Sequence, residues 1–349
     1  MVYPIVGIEL YGGVPVKKLI CLLLALLMAC GAALAEGTLT TNGGVALDIA
    51  DLPHQAADAP VTVYFISDIN AESLVKAYQA LGVDLPGKVG VKITTGEGPN
   101  SNYLRPELIG DLVKRLNAAI VECNTGYAGN RSSTAMHMQV AKDRGYTDIA
   151  EVDILDAEDS MELPVEGGLR MPVDYVGSHF ANYDAFVALS HFKGHSVAGF
   201  GGAIKNIAIG FASAKGKSWI HSGGTDLVFD WNCDVDEFQE AFLESMADAA
   251  KAVDSHMGDN IVYINVMNRM SVECDCAPNP VEPDMHDVGI LASTDPLAID
   301  QACIDLVYAM PDSDSLVARI EERGGLHTLD AAEAIGLGSC QYRLVNLDA

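Results

Sequence analysis

Ala185-Phe186-Val187-Ala188-Leu189-Ser190 runs directly into His191-Phe192-Lys193-Gly194-His195-Ser196-Val197-Ala198-Gly199-Phe200-Gly201-Gly202-Ala203-Ile204-Lys205-Asn206. The first six residues form an unbroken apolar run of the kind found in strands covered on both faces. The stretch that follows is dense in glycine, lysine and histidine. His191 and His195 stand four apart, a spacing that on a helix would offer two zinc ligands. Gly194, Gly199, Gly201 and Gly202 argue against a regular helix there. They predict a glycine-rich loop at the carboxyl end of a strand, where backbone without side chains lets a ligand approach closely. Within reach of such a loop, His195 supplies an acid or base, Lys205 an amine, and His221 a metal ligand.

Outward from this segment the same grammar repeats. Val61–Ile66, Lys88–Ile93, Ala118–Cys123, Asn260–Val266 and Val288–Ala292 read as further strands. Ala71–Leu81, Pro106–Leu116, Ser132–Arg144, Asp234–Val253 and Pro296–Ala309 read as helices. Strand and helix alternate, which predicts an α/β fold: a largely parallel sheet with flanking helices, its ligand site in the loops leaving the strands' carboxyl ends. Residues 60–349 are expected to form one domain. If it has two lobes, they join within the polar stretch Ala157–Tyr175, and 36–59 is expected to be an exposed N-terminal segment.

The 349 residues are 49% hydrophobic, enough to build a substantial core and to exclude disorder for most of the chain. Against 48 Asp and Glu stand 21 Lys and Arg, a formal charge of −27. Such a surface repels phosphate backbones and anionic lipid, so nucleic acid and the membrane surface are excluded as partners. The first 35 residues read as a leader. Lys17 and Lys18 precede the apolar run Leu19–Ala29, and Ala33-Leu34-Ala35 offers a small-residue cleavage site before Glu36. Leu27-Met28-Ala29-Cys30 is a lipobox-like alternative that would anchor the protein through Cys30. Translation from Val14 would give a more ordinary leader. The run is shorter than the ~20 residues of a membrane span. Removal of residues 1–35 therefore predicts an exported, extracytoplasmic protein with no transmembrane helix.

Export permits disulfides. Six cysteines follow the leader: Cys123, Cys233, Cys274, Cys276, Cys303 and Cys340. Cys303 lies in an apolar helical run and reads as a core residue. In Cys274-Asp275-Cys276 two thiols on a polar loop are placed to grip one metal or cluster, or to form ordinary disulfides with distant partners. Asp284, His286 and Asp287 are candidates to complete such a site. Thr94–Asn100 follows a strand without the lysine of a phosphate-binding loop. His54, His137, His179, His256 and His327 read as ordinary helix or loop residues.

The string Ser190–Gly210, with Val91–Pro106, Asn124–Thr134 (Tyr127 and Arg131 within it), Glu273–Cys276 and Gly289–Gln301, resembles an iron–sulfur-centre protein family of unassigned activity, domain of unknown function 362. The resemblance runs from about residue 60 to the C-terminus. It implies a metal or iron–sulfur centre. Relatives of that kind carry an insert with two four-cysteine runs after the position of His221; here Ser222–Asp230 is short and Cys233 stands alone, too few cysteines for a pair of clusters. The same segment is similar to part of nickel-pincer lactate racemase, in which a lysine follows a histidine by ten positions and a second histidine follows sixteen later. His195, Lys205 and His221 reproduce both intervals. That likeness implies a racemase-like scaffold with His195 as proton-transfer base, Lys205 as covalent anchor of the pincer nucleotide and His221 as nickel ligand. It also implies that Gly199, Gly201, Gly202 and Asn206 line the cofactor. The racemase's second catalytic histidine is missing, since the matching loop Thr125–Arg131 contains none.

The resulting expectation is an exported metal-binding protein, nickel or iron being the candidate metals, that acts as a metal-dependent enzyme on a small organic acid. The alternative is a non-catalytic iron–sulfur or metal-binding accessory that uses Cys274 and Cys276 and meets an electron-transfer partner. A third reading is a small-molecule-binding protein that has lost its chemistry.

Overall fold

A computed structural model describes residues 37–233 and 235–348. The leader, with Val14, Cys21 and Cys30, lies outside the described residues. In chain order the strands are β1 (Thr38–Thr40), β2 (Ala46–Asp48), β3 (Thr62–Ile66), β4 (Val89–Lys92), β5 (Ala119–Glu122), β6 (Val152–Ile154) and β7 (Ser160–Pro164). They continue as β8 (Val173–Gly177), β9 (Ala185–His191), β10 (Lys193–His195), β11 (Gly199–Gly201), β12 (Ile261–Met267), β13 (Gly289–Ser293) and β14 (Arg343–Asn346). The α-helices are α1 (Ala71–Ala80), α2 (Pro106–Arg115), α3 (Thr134–Asp143), α4 (Ala203–Phe211), α5 (Ala214–His221), α6 (Gln239–Met257), α7 (Pro296–Ala309), α8 (Asp314–Glu322) and α9 (His327–Ala334).

Eight strands form the central sheet in the order β14-β3-β13-β12-β9-β4-β5-β6. Each neighbouring pair is parallel except the two that include β13, so β13 alone runs against the other seven. Alternation along the strands sorts side chains into two cores. Phe186 and Ala188 of β9, with Ala119 and Val121 of β5, pack with residues of α4, α6 and α7 on one face. Val187 and Leu189 of β9, with Ile120 of β5, pack with residues of α1 and α2 on the other. The apolar runs are unbroken because both faces are covered. The predicted α/β class, the six predicted strands and the five predicted helices are all present, with ends shifted by a few residues. No helix among the described residues is long and apolar enough to cross a membrane.

Two expectations change. Residues 37–59 are tied to the domain: Leu39, Ile49 and Leu52 are buried in the core, and Asn42 N–H donates to the Val288 carbonyl. Isolated apolar residues between polar ones hid this docking, so the reading of 36–59 as an exposed segment is corrected. The glycine-rich stretch is also more ordered than a loop. β10 and β11 pair as an antiparallel hairpin, His195 opposite Gly199, before α4 begins. Gly199 takes φ +78°, which a side chain resists at this tight return. The polar stretch Ala157–Tyr175 holds β7 and the start of β8, which pair with each other.

Candidate functional site

The carboxyl ends of β12, β9, β4 and β5, adjacent in the sheet, open onto a cleft. Lys92 and Thr94 reach it from β4 and the turn after it, and Glu122, Thr125, Tyr127 and Arg131 from β5 and its loop. Ser190, His191, Lys193, His195, Gly201 and Gly202 come from β9 and the hairpin, and Lys205, Lys217 and His221 from α4 and α5. Cys274, Asp275 and Cys276, from the segment after β12, complete the wall. The cleft thus occupies the position where open parallel sheets place ligands.

Gly202 and the start of α4 are fixed from across the fold. The buried Asp300 carboxylate of α7 accepts the N–H groups of Ala203 (2.7 Å) and Ile204 (2.9 Å), and Asn265 Nδ2 of β12 donates to the same group at 2.7 Å. A Cβ on Gly202 would lie 2.2 Å from Asp300 Oδ1, so only glycine allows the cap to approach. Asn206 Nδ2 then donates to Lys92 O and Ser190 Oγ, and its Oδ1 accepts from Lys92 Nζ at 3.2 Å. It joins α4 to β4 and β9.

Five cationic side chains line the cleft: Lys92, Arg131, Lys193, Lys205 and Lys217. Two of them are neutralised. Arg131 donates to Glu97 (3.0 Å) and Glu122 (2.8 Å), and the second oxygen of Glu122 pairs with His137 Nε2 at 2.9 Å. Burial alone would raise the Glu122 pKa, but His137 and Arg131 outweigh it and hold the carboxyl well below its usual range. Lys193 lies 3.3 Å from Asp275. The other three have no carboxylate within ion-pair distance among the described residues. Lys92 donates to the Ile93 carbonyl at 2.6 Å and Lys217 to the Ala212 carbonyl at 2.5 Å. Lys205, half-buried, has no hydrogen-bond or ion-pair partner among the described residues. Burial, with Lys193, Lys92 and Lys217 adding repulsion, brings its amine down to about 7. Burial likewise lowers Lys92 to about 8, against the pull of Glu122.

The three cleft histidines are in three different states. His191 has both ring nitrogens engaged, Nδ1 with Asp275 (2.9 Å) and Nε2 with the Asn268 carbonyl (2.6 Å). Both nitrogens face oxygen partners and neither is directed at an open position for a metal, which corrects its assignment as a ligand. His195 Nδ1 accepts the N–H groups of Val197 (3.1 Å) and Ala198 (2.9 Å), so in the neutral ring the proton sits on Nε2. Burial holds this imidazole neutral, with Lys205 and His221 adding to the effect. Its spare nitrogen is a hydrogen-bond donor and has no lone pair for a proton, so the expectation that His195 acts as a base is corrected to that of a neutral donor. His221 is the reverse. Its Nδ1–H donates to the Lys217 carbonyl at 2.7 Å, which leaves the Nε2 lone pair as the free donor atom. Trp231 and Phe242 pack on the ring at 4.7 and 4.6 Å between centroids, and burial lowers its pKa to about 3. This tautomer, fixed by a carbonyl behind the ring, is the one a metal-binding histidine needs.

Cys274 and Cys276 are bonded to each other across Asp275. Neither the pair of thiolates expected from the sequence nor a disulfide to a distant cysteine is present, and an iron–sulfur cluster does not fit sulfurs that are spent on one another. A ring nitrogen of His195 and both sulfurs lie within 4.8 Å of one another, a group that would hold a metal ion only with the sulfurs reduced and the His195 ring freed of its Nε2 proton. His286, Asp284 and Asp287 do not join it. His286 faces solvent and pairs with Asp312, Asp284 accepts from Ser315 Oγ, and Asp287 accepts from Arg269 N–H.

The glycine-rich segment, Lys205 and His221 are the expected site residues that the fold brings together here, and Lys92, Lys193 and Lys217 join them without having been expected. Lys92 carried a signal, a lysine inside an otherwise apolar strand. Lys217 stands one turn before His221 on the same face, the spacing by which its carbonyl reaches the ring.

A comparison with curated proteins finds no match. Among solved structures the chain is similar to the lactate racemase apoprotein from Thermoanaerobacterium thermosaccharolyticum, with 16% identity and a TM-score of 0.39. That match covers 66% of this chain and 55% of the other, so this chain spans about half the length of that protein. The family model of DUF362, a domain of unknown function, matches residues 89–305, which take in the sheet's β4, β5, β9 and β12 and every residue lining the cleft. The chain belongs to the DUF362 family.

Proposed function

We propose that this protein is a metal-binding enzyme acting on a small organic acid, bound as its anion in the cleft at the carboxyl ends of β4, β5, β9 and β12. One observation carries the reading: Lys92, Lys205 and Lys217 converge without a carboxylate partner, in a chain of net charge −27. Surface lysines in so acidic a protein find counter-ions easily. Lysines kept together and unpaired are ready to receive one, and an organic acid supplies it. His195, with its ring proton on Nε2, donates to an oxygen of the bound acid.

The residues fit a nickel-pincer group in their chemical states. An amine near neutrality is a free nucleophile in about half of the molecules at pH 7, the state that covalent anchoring through Lys205 needs; once anchored, that amine no longer carries a charge, and Lys92 and Lys217 would hold the acid. The His221 Nε2 lone pair would hold the metal. When bound, such a group supplies redox chemistry to the substrate carbon. Export is part of the same proposal and rests on the leader pattern of residues 1–35. N-terminal sequencing of protein from its native host should begin at Glu36, and a terminus before Val14 would overturn it.

The test is calorimetric titration at pH 6.5 with lactate, with inorganic phosphate, and with acetamide as a neutral control. Lactate is expected to bind, acetamide is not, and Lys205→Met is expected to weaken lactate by tenfold or more. Equal binding by wild type and Lys205→Met, or no anion binding at all, would overturn the proposal.

A further inference from the structure

We propose that Cys274 and Cys276 form a redox-active dithiol–disulfide pair in the cleft wall, exchanging electrons with an external dithiol. The ring joins residues only two apart, so it constrains the unfolded chain less than any longer loop would, and stabilisation of the fold does not account for it. It is also accessible from the cleft: both sulfurs line it, Cys274 deeply and Cys276 half-buried. Of the other described cysteines, Cys123 also reaches the cleft, where its buried thiol donates to the Phe211 carbonyl at 3.2 Å, and Cys303 and Cys340 are buried in the core.

The surroundings favour one direction of attack. Cys276 is the more exposed sulfur and therefore the one an incoming thiolate reaches. Its backbone N–H donates to Cys274 Sγ at 3.2 Å. As the new bond forms to Cys276 Sγ, the S–S electron pair moves onto Cys274 Sγ. That thiolate forms already holding a hydrogen bond, beside His195 and within the cationic cleft, conditions that lower a thiol's pKa and make it a good leaving group. The second thiol of the external dithiol, as its thiolate, then attacks its own sulfur in the mixed disulfide. Cys276 leaves as the second thiolate, and the donor departs as a disulfide. Two electrons pass to the protein, and the two protons released by the dithiol are available to the two new thiols.

The exchange is coupled to the cleft through Asp275, which the ring brackets. Its carboxylate holds His191 and Lys193, and its carbonyl accepts Glu97 N–H at 2.7 Å. Opening the ring frees the backbone that carries all three contacts.

The experiment equilibrates the folded full chain in buffers of graded reduced and oxidised dithiothreitol. Samples are acid-quenched, alkylated and read by peptide mass spectrometry, with circular dichroism as the check of fold. Cys274 and Cys276 are expected to pass together from unlabelled to fully labelled while the spectrum is unchanged. With oxidised glutathione, Cys274→Ser is expected to trap a mixed disulfide at Cys276, several-fold more than Cys276→Ser traps at Cys274. A pair that reduces only when the protein unfolds, or that stays as thiols at every poise, would overturn the proposal. Equal trapping in the two variants would overturn the assigned direction of attack. Thiol labelling reads the same whether or not an anion binds, so failure here is distinguishable from failure of the anion-binding reading.

Discussion

Replacing Lys205 with methionine should stabilise the protein at neutral pH, and the gain should disappear in alkali. In the unfolded chain the amine titrates at its ordinary 10.5, while in the folded cleft it titrates at about 7. Between these values the unfolded state binds the proton and the folded state does not, so stability rises with pH by about 1.4 kcal/mol per unit through this group alone. Below pH 7 both states are charged and the full penalty of burying the ammonium is present. The unscreened total is about 5 kcal/mol. Because the Lys205 side chain is half-buried in a cleft open to solvent, screening reduces this, and we expect about 2–3 kcal/mol at pH 7. For a chain of this size that corresponds to roughly 3–5 °C in melting temperature. Melting curves of wild type and Lys205→Met from pH 6 to pH 10 test it. The variant should melt higher at pH 6 and 7, and the two curves should converge towards pH 10. A variant that melts lower than wild type at pH 7, or a gap independent of pH, would show that Lys205 has a stabilising partner and would refute the description of the cleft.

Glu122→Gln leaves Arg131 and His137 without their shared carboxylate in the core and should cost about 3–5 kcal/mol, read as a drop in urea midpoint. Because the Glu122 pKa is depressed, the wild-type advantage should be present above the ordinary carboxylate range and decline only in strong acid. Gly202→Ala drives a methyl into Asp300 and should cost about 1–3 kcal/mol by thermal melting, weakening anion binding with it. If His221 holds the metal, elemental analysis should find it retained at pH 5, because a ring that protonates at about 3 keeps its lone pair where an ordinary histidine loses it. His221→Ala should abolish that retention, and its survival would remove His221 from the metal site.

The sheet was legible because its strands are covered on both faces. Val187, Leu189, Phe186 and Ala188 must all be apolar whichever way they point, so β9 shows as an unbroken run. The three-residue β6, β10 and β11 are too short for a pattern to rise above their surroundings, and in β14 only Leu344 and Val345 are apolar, between Arg343 and Asn346. At the site, the hairpin glycines and the intervals to Lys205 and His221 were visible, because both follow from the local chain. What each imidazole does was not. His191, His195 and His221 differ in which group, backbone or side chain, meets which ring nitrogen. Those partners include Asn268, 77 residues from His191, and Lys217, one turn before His221. The Cys274–Cys276 bond was hidden for a related reason, since the same two residues serve equally well as metal ligands until the fold sets their direction.

Lys92, Lys205 and Lys217 meet in one cleft, and the free protein relieves the cost of burying these charges, and their mutual repulsion, by giving up a proton, most readily from Lys205. An anion entering the cleft removes the reason for that loss. Binding and protonation are therefore one event above neutrality. At pH 8 an amine titrating at about 7 is about nine-tenths neutral, so capture of a monoanion should draw in about 0.9 of a proton. At pH 6 the amine is already charged and uptake should fall to about 0.1. Calorimetry of lactate binding in two buffers of different ionisation enthalpy measures this directly, because only a proton-coupled event gives a buffer-dependent heat. Affinity should decline about tenfold per pH unit above 7, in step with the uptake. Binding that takes up no proton at pH 8 would place the anion out of reach of Lys205, and Lys92 and Lys217 alone would then have to account for it.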